Sequence, residues 1–205
     1  MPRNLRKLLL VGLQLMVTPA CSAPLAGQAE PLSPPKAAAL SVRVQGRHFI
    51  DAAGKPMRLR GVSYSGFESV AIQGWSPKDP SGAQAGQPGG PKWSAIRSWN
   101  ANTVRLPLNE ASWLGHDCID TAGITRKPDP GNNYRKAVQD QVAAATAAGL
   151  YVILDLHWSA PGDACPMLQT QMANQDHSLA FWTAVATQFK NNPAVLFELF
   201  NEPFL

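Results

Sequence analysis

The sequence predicts an α/β fold: a parallel sheet of about four βα units preceded by a small β-hairpin. Two observations carry that prediction. Short runs rich in apolar and β-branched residues occur at 59–63 (LRGVS), 103–106 (TVRL), 151–156 (YVILDL) and 195–199 (VLFEL), with starts 44, 48 and 44 residues apart. Amphipathic helical patterns lie between them, and strands apolar on both faces that alternate with such helices form parallel sheets from βαβ units, so both faces of the sheet are expected to be covered.

The elements follow in order. Residues 40–51 alternate polar and apolar side chains about Gly46, the pattern of a hairpin. A short helix is expected over 92–99, with Trp93, Ile96 and Trp99 on one side. A second is expected over 134–148, where Tyr134, Val138, Val142 and Ala145 form a stripe; Asn132 or Asn133 can cap it and Gly149 can end it. The third covers 178–190, with Phe181, Trp182, Val185 and Phe189 inward and Pro193 preventing continuation. None of these helices is apolar all round, so each should cover one face of a sheet. The pattern fits both an open doubly wound sheet and part of a (β/α)8 barrel.

Composition narrows the function classes. Of 205 residues, 45% are apolar, which excludes a wholly disordered chain. The net charge of +4 is largely local, because Arg3, Arg6 and Lys7 precede an apolar run. Without residues 1–23 the balance is 15 basic to 14 acidic, which gives no general attraction to nucleic acid. Residues 1–23 have the layout of a secretory signal and an apolar run too short to span a membrane, so a secreted or periplasmic location is expected. Cys21 after Ala20 also admits a lipid anchor. Residues 24–39 are rich in Pro and Ala and read as a linker, leaving 40–205 as the folded domain. An exported chain meets an oxidising compartment, where Cys118 and Cys165, both in loop sequences, are expected to form a disulfide. A zinc site would need His116 or His157 as well, and no CxxC pairing supports it.

Polar groups gather where the parallel strands end: Arg105 and Pro107, then Asp155, His157 and Trp158, then Asn201, Glu202 and Pro203. Barrels and open α/β sheets alike place their sites at these ends. Asn102-Thr-Val-Arg105-Leu-Pro107, the Asp155-Leu-His157 strand end and Leu199-Phe-Asn201-Glu202-Pro203 resemble glycoside hydrolase family 5, which includes cellulases and mannanases. The resemblance runs from about Lys55 onward and implies the N-terminal half of a (β/α)8 TIM barrel. It implies Glu202 as general acid/base, Asn201 as the partner of the sugar 2-hydroxyl, Arg105 as organiser of the nucleophile and His157 as a wall of the reacting subsite. Trp158 is a candidate for stacking on a sugar ring. The implied reaction is retaining hydrolysis of a β-linked polysaccharide, a β-1,4-glucan above all, with no cofactor and no metal.

The family's strand-7 glutamate nucleophile and strand-8 tryptophan have no counterpart among the 205 residues. Eight units of this spacing would need roughly 360 residues. The resemblance therefore implies a fragment, inactive alone, whose open sheet edges invite self-association. Two other readings stay open: a non-catalytic carbohydrate-binding remnant, and an unrelated four-stranded α/β protein. Glu68 and Glu110, which follow the first two strands, are further candidates for sugar contacts. Trp75, Trp93 and Trp113 read as core, and 81–91 as a Gly-rich loop without the ending of a phosphate loop.

Overall fold

The computed structural model describes residues 39–74 and 92–204. The export segment, Cys21, the linker apart from its last residue, Trp75 and the Gly-rich stretch 81–91 lie outside the described residues. The hairpin consists of β1 (Arg43–Gln45) and β2 (His48–Ile50), antiparallel, with Gly46 at φ +60° in the turn. A third short strand, β3 (Pro56–Met57), joins β2 after a tight turn in which the Asp51 carboxylate accepts from Ala53 N–H and Lys55 N–H. The lead-in to the hairpin is tied to the start of the main sheet. Val42 N–H donates to Pro193 O, and the Tyr151 hydroxyl donates to Ser41 O.

The main sheet has four parallel strands in the order β4 (Gly61–Ser63), β5 (Thr103–Asn109), β8 (Tyr151–Trp158) and β9 (Val195–Glu198). Each lies on an expected run, with β5 and β8 extending further at their C-terminal ends. Between them come α1 (Trp93–Ser98), α2 (Glu110–Leu114), the small pair β6 (Cys118–Ile119) and β7 (Thr125–Arg126), α3 (Tyr134–Ala147) and α4 (Ser178–Phe189). The motif residue Asn102 holds β4 against β5: its Oδ1 accepts from Arg60 N–H and its Nδ2 donates to Arg58 O.

Period-two alternation decides which face is core. Val104, Leu106 and Leu108 of β5 and Val152, Leu154 and Leu156 of β8 share one face and are fully buried. They pack with Ile96, Val138, Val142, Phe181 and Val185 from the helices. Each such side chain contributes about 1.5–3 kcal/mol relative to exposure. Gly149, at φ +84°, ends α3 in a left-handed turn. Asn133, one of the two expected residues, stands at the N-cap of α3, and the Asp129 carboxylate supports that end by accepting from Asn133 N–H and Tyr134 N–H.

Two expectations need correction, and one helix was not foreseen. The opposite face of the sheet is not uniformly buried: β4 is exposed, and Ile153 and Leu196 are only partly covered. Trp99 points away from the core and is 68% exposed, because α1 ends at Ser98 before its next inward position. The helix α2 went unforeseen because five residues carry no periodicity; its signals are local, an N-cap at Asn109 accepting from Ser112 N–H and a left-handed Gly115.

Candidate functional site

Register places polar groups from every main strand, two of them from β8, on the partly covered face. Ser63 pairs with Arg105 between β4 and β5, Arg105 with Ile153 between β5 and β8, and Asp155 with Glu198 between β8 and β9. Residues 105, 155, 157 and 198 therefore project toward one another. Arg105 is the hub. Its Nε and Nη2 donate to the two carboxylate oxygens of Glu198 at 2.8 and 3.0 Å, the planar two-pronged pairing suited to guanidinium and carboxylate. Nη2 also lies 2.8 Å from both Asp155 Oδ2 and Asn201 Oδ1, and Nη1 reaches Ser63 Oγ at 3.4 Å.

His157 Nδ1 lies 2.7 Å from Asp155 Oδ2, which fixes the ring on the same side. Asp155 is fully buried. Burial raises its pKa, against the opposing pull of His157 and Arg105, and the Glu198 charge adds to the rise. For Arg105, burial works against the charged form, but the Glu198 hydrogen bond and the charges of Asp155, Glu198 and Glu202 raise its pKa overall. The guanidinium therefore stays charged. The last of those charges shows that Glu202 is near enough to act on the same group.

Asn201 is buried, with N–H to Leu156 O at 3.0 Å, while Glu202 is exposed in the bend that follows. Glu202 has φ +40°, a conformation that costs a non-glycine residue roughly 1–3 kcal/mol and persists only where neighbours hold it. The side chain of Gln169, from the loop between β8 and α4, accepts from Asn201 Nδ2 and donates to Asn201 O. Beside this bend a groove of about 400 Å³ is lined by Pro161, Thr170, Gln171, Met172, Asn174 and Phe204. Its size suits a small-molecule or oligomer segment.

The fold brings together Arg105, His157 and Asn201, with Glu202 at the rim. Trp158 is half-buried and meets the group through the His157 ring, 6.4 Å between centroids. Two members, Glu198 and Gln169, were not singled out in the sequence, and Asp155 was noted at its strand end without a role. Glu198 could have been found by asking which residues share a strand face with His157 and Arg105; Gln169 sits in a loop and carries no such signal. Glu68 and Glu110 are buried rather than presented to a ligand. The Glu110 carboxylate accepts from Ser178 Oγ, Asn174 Nδ2 and Ala160 N–H, and burial raises its pKa despite those bonds. Nearby, the rings of His116 and His177 stack with centroids 4.4 Å apart, and burial followed by the His177 charge lowers the His116 pKa. Cys118 and Cys165 form a disulfide with Cα atoms 4.9 Å apart, joining β6 to the loop that carries Gln169. Among the described residues no group of three or more His, Cys, Asp or Glu side chains could hold a metal ion.

Residues 50–205 match the family described as Cellulase (glycosyl hydrolase family 5). Endoglucanase A of Butyrivibrio fibrisolvens is 29% identical over 161 residues, covering 78% of this chain and 31% of that protein. Endoglucanase 1 of Saitozyma flava is 31% identical over 150 residues, covering 71% of this chain and 39% of that protein. The chain thus spans well under half the length of these curated relatives. Among solved structures, an endogalactoceramidase is similar in fold, with a TM-score of 0.50 at 19% identity, covering 80% of this chain and 44% of that one.

Proposed function

The chain belongs to glycosyl hydrolase family 5, and from that premise we propose that its site serves retaining hydrolysis of a β-1,4-glucan, with Glu202 as general acid/base. The observation that carries this reading is the Arg105 fork, which gathers Glu198, Asp155 and Asn201 beside the exposed Glu202. A double displacement needs a carboxyl that first protonates the leaving oxygen and then takes a proton from water. Glu202 is open to solvent and to an incoming sugar, as that role requires. Asn201 has its Oδ1 engaged by Arg105 and one of its two Nδ2 protons held by Gln169, which leaves the other for a sugar hydroxyl. The endoglucanase names of the relatives support a glucan substrate.

Residues 1–205 by themselves bind such a chain but turn it over little or not at all. A retaining site places a second, nucleophilic carboxylate about 5–5.5 Å from the acid/base. Among the described residues, the carboxylates gathered with Glu202 are Asp155, which is buried, and Glu198, which is clamped by Arg105 at both oxygens. Titrating cellotetraose into the 15N-labelled chain tests the reading. It expects saturable shifts at Arg105, His157, Trp158, Asn201 and Glu202 with no released sugar. Shifts confined to other surfaces, or none at all, overturn it.

Two expectations about the whole chain accompany this reading. Residues 1–23 direct export, and a reporter fused behind them should appear outside the cytoplasm; retention inside contradicts that. The strands β4 and β9 each pair on one side only among the described strands. Such edges promote self-association, so sedimentation should show mass rising with concentration, and a concentration-independent monomer argues against it.

A further inference from the structure

We propose that Gln169 is a positioning residue that sets the backbone of Glu202, and through it the direction of the carboxyl; its catalytic meaning rests on Glu202 being the acid/base. The inference starts from the φ of +40° at Glu202. That angle is a rotation about the Glu202 N–Cα bond. It is fixed only if the peptide joining residues 201 and 202 is held on one side and the chain beyond Glu202 on the other.

The first hold is made by Gln169. The carbonyl of that peptide is Asn201 O, and it accepts from Gln169 Nε2. The same amide uses its Oε1 to accept from Asn201 Nδ2, so one side chain grips Asn201 at both its backbone and its tip. Gln169 Nε2 also donates to Thr170 O at 2.9 Å, which ties the amide to its own loop. The second hold comes from the same loop: Phe204 N–H donates to Gln171 O at 3.0 Å. Glu202 is therefore bracketed on both sides by residues 169–171.

A bracket works only if its own base is fixed, and this one is anchored to the frame. Cys165 is disulfide-bonded to Cys118, its N–H donates to Ile119 O at 2.9 Å, and Pro166 O accepts from the buried Asn109 Nδ2 at 2.8 Å. Asn201 is also held by Arg105 at its side chain and by Leu156 O at its N–H, which fixes the peptide before it, while Gln169 holds the carbonyl of the peptide that leads into Glu202.

The test is nuclear magnetic resonance of the labelled full chain, reading the HN–Hα coupling of Glu202 and the exchange rate of the Asn201 side-chain amide. In Gln169→Ala the coupling should move away from its left-handed value, and the Asn201 amide should exchange about tenfold faster. Gln169→Glu separates positioning from loop packing. At neutral pH it keeps an acceptor for Asn201 Nδ2 but sets an oxygen against Asn201 O, so the coupling should shift as in the alanine variant. Acidification protonates the introduced carboxyl, restores a donor and should return the coupling toward wild type, while Gln169→Ala stays displaced. An unchanged Glu202 coupling in both variants, or no return on acidification, overturns the inference. Cellotetraose added to the same samples keeps the two ideas apart. Sugar shifts that avoid Glu202 sink the acid/base reading and leave the coupling result intact, whereas normal sugar shifts with an unresponsive coupling sink only the role of Gln169.

Discussion

Arg105 shows how much one side chain can organise. Its guanidinium spans all four strands of the main sheet, and it offsets two carboxylates, one of them with no solvent exposure. Removing one partner of a buried pair leaves the other charge uncompensated. Arg105→Ala should therefore lower the unfolding free energy by about 3 kcal/mol, at the low end of that range because the arginine is partly open. Urea titration reads this directly, and a midpoint unchanged from wild type would mean the cluster is not held by its hub. Glu110 gives a pH prediction. Its folded pKa is raised, with burial as the leading cause. The folded state therefore holds the proton more tightly than the unfolded chain does. That contribution is complete below the ordinary glutamate value of about 4.3, and it is lost as pH rises through the raised value. The stability of wild type relative to Glu110→Gln should thus fall with increasing pH across that window. A difference that is flat, or rises, would show that the three hydrogen bonds outweigh desolvation.

Single elements were legible to different degrees, and the reason is physical. Strand β8 and helix α3 are long enough for periodicity to speak: Tyr134, Val138, Val142 and Ala145 are all buried as their spacing required. Helix α2 and the β6–β7 pair are too short, and local hydrogen bonds and the disulfide hold them in place. Strand β4 was legible as an apolar run, but the need for glycine in it was not. A Cβ on Gly61 would lie 1.9 Å from Thr103 O, a backbone atom that cannot yield without opening the β4–β5 pairing. Gly61→Ala should cost about 2–3 kcal/mol, as overpacking against an unyielding neighbour does. Amide exchange in β4 should accelerate with it; protection equal to wild type would show that the strand can shift at little cost.

For the molecule as a whole, the described part has one helix-covered face and one partly open polar face on the same sheet. The disulfide links residues 47 apart and ties the loop after β8 to the region beyond α2. Closing a loop of that length restricts the unfolded chain, and reduction should lower stability by about 2–4 kcal/mol. Urea midpoints with and without reductant measure this, and equal midpoints would show that the hydrogen bonds around Pro166 suffice. Reduction should also loosen the loop that carries Gln169 before the sheet itself melts, visible as faster amide exchange over residues 166–172.

The sequence by itself determined the order of the four main strands and of the three helices α1, α3 and α4, the hydrophobic face, the family and the motifs that end each strand. These depend on short-range periodicity and on residue types that must stand at strand tips. Tertiary structure decided which of those residues meet. Register brought Asp155 and Glu198 under Arg105, burial withdrew Glu68 and Glu110 from the surface, and a loop from far along the chain carried Gln169 to Asn201. Such pairings join residues tens of positions apart, and no local pattern encodes a distance that only the folded sheet sets.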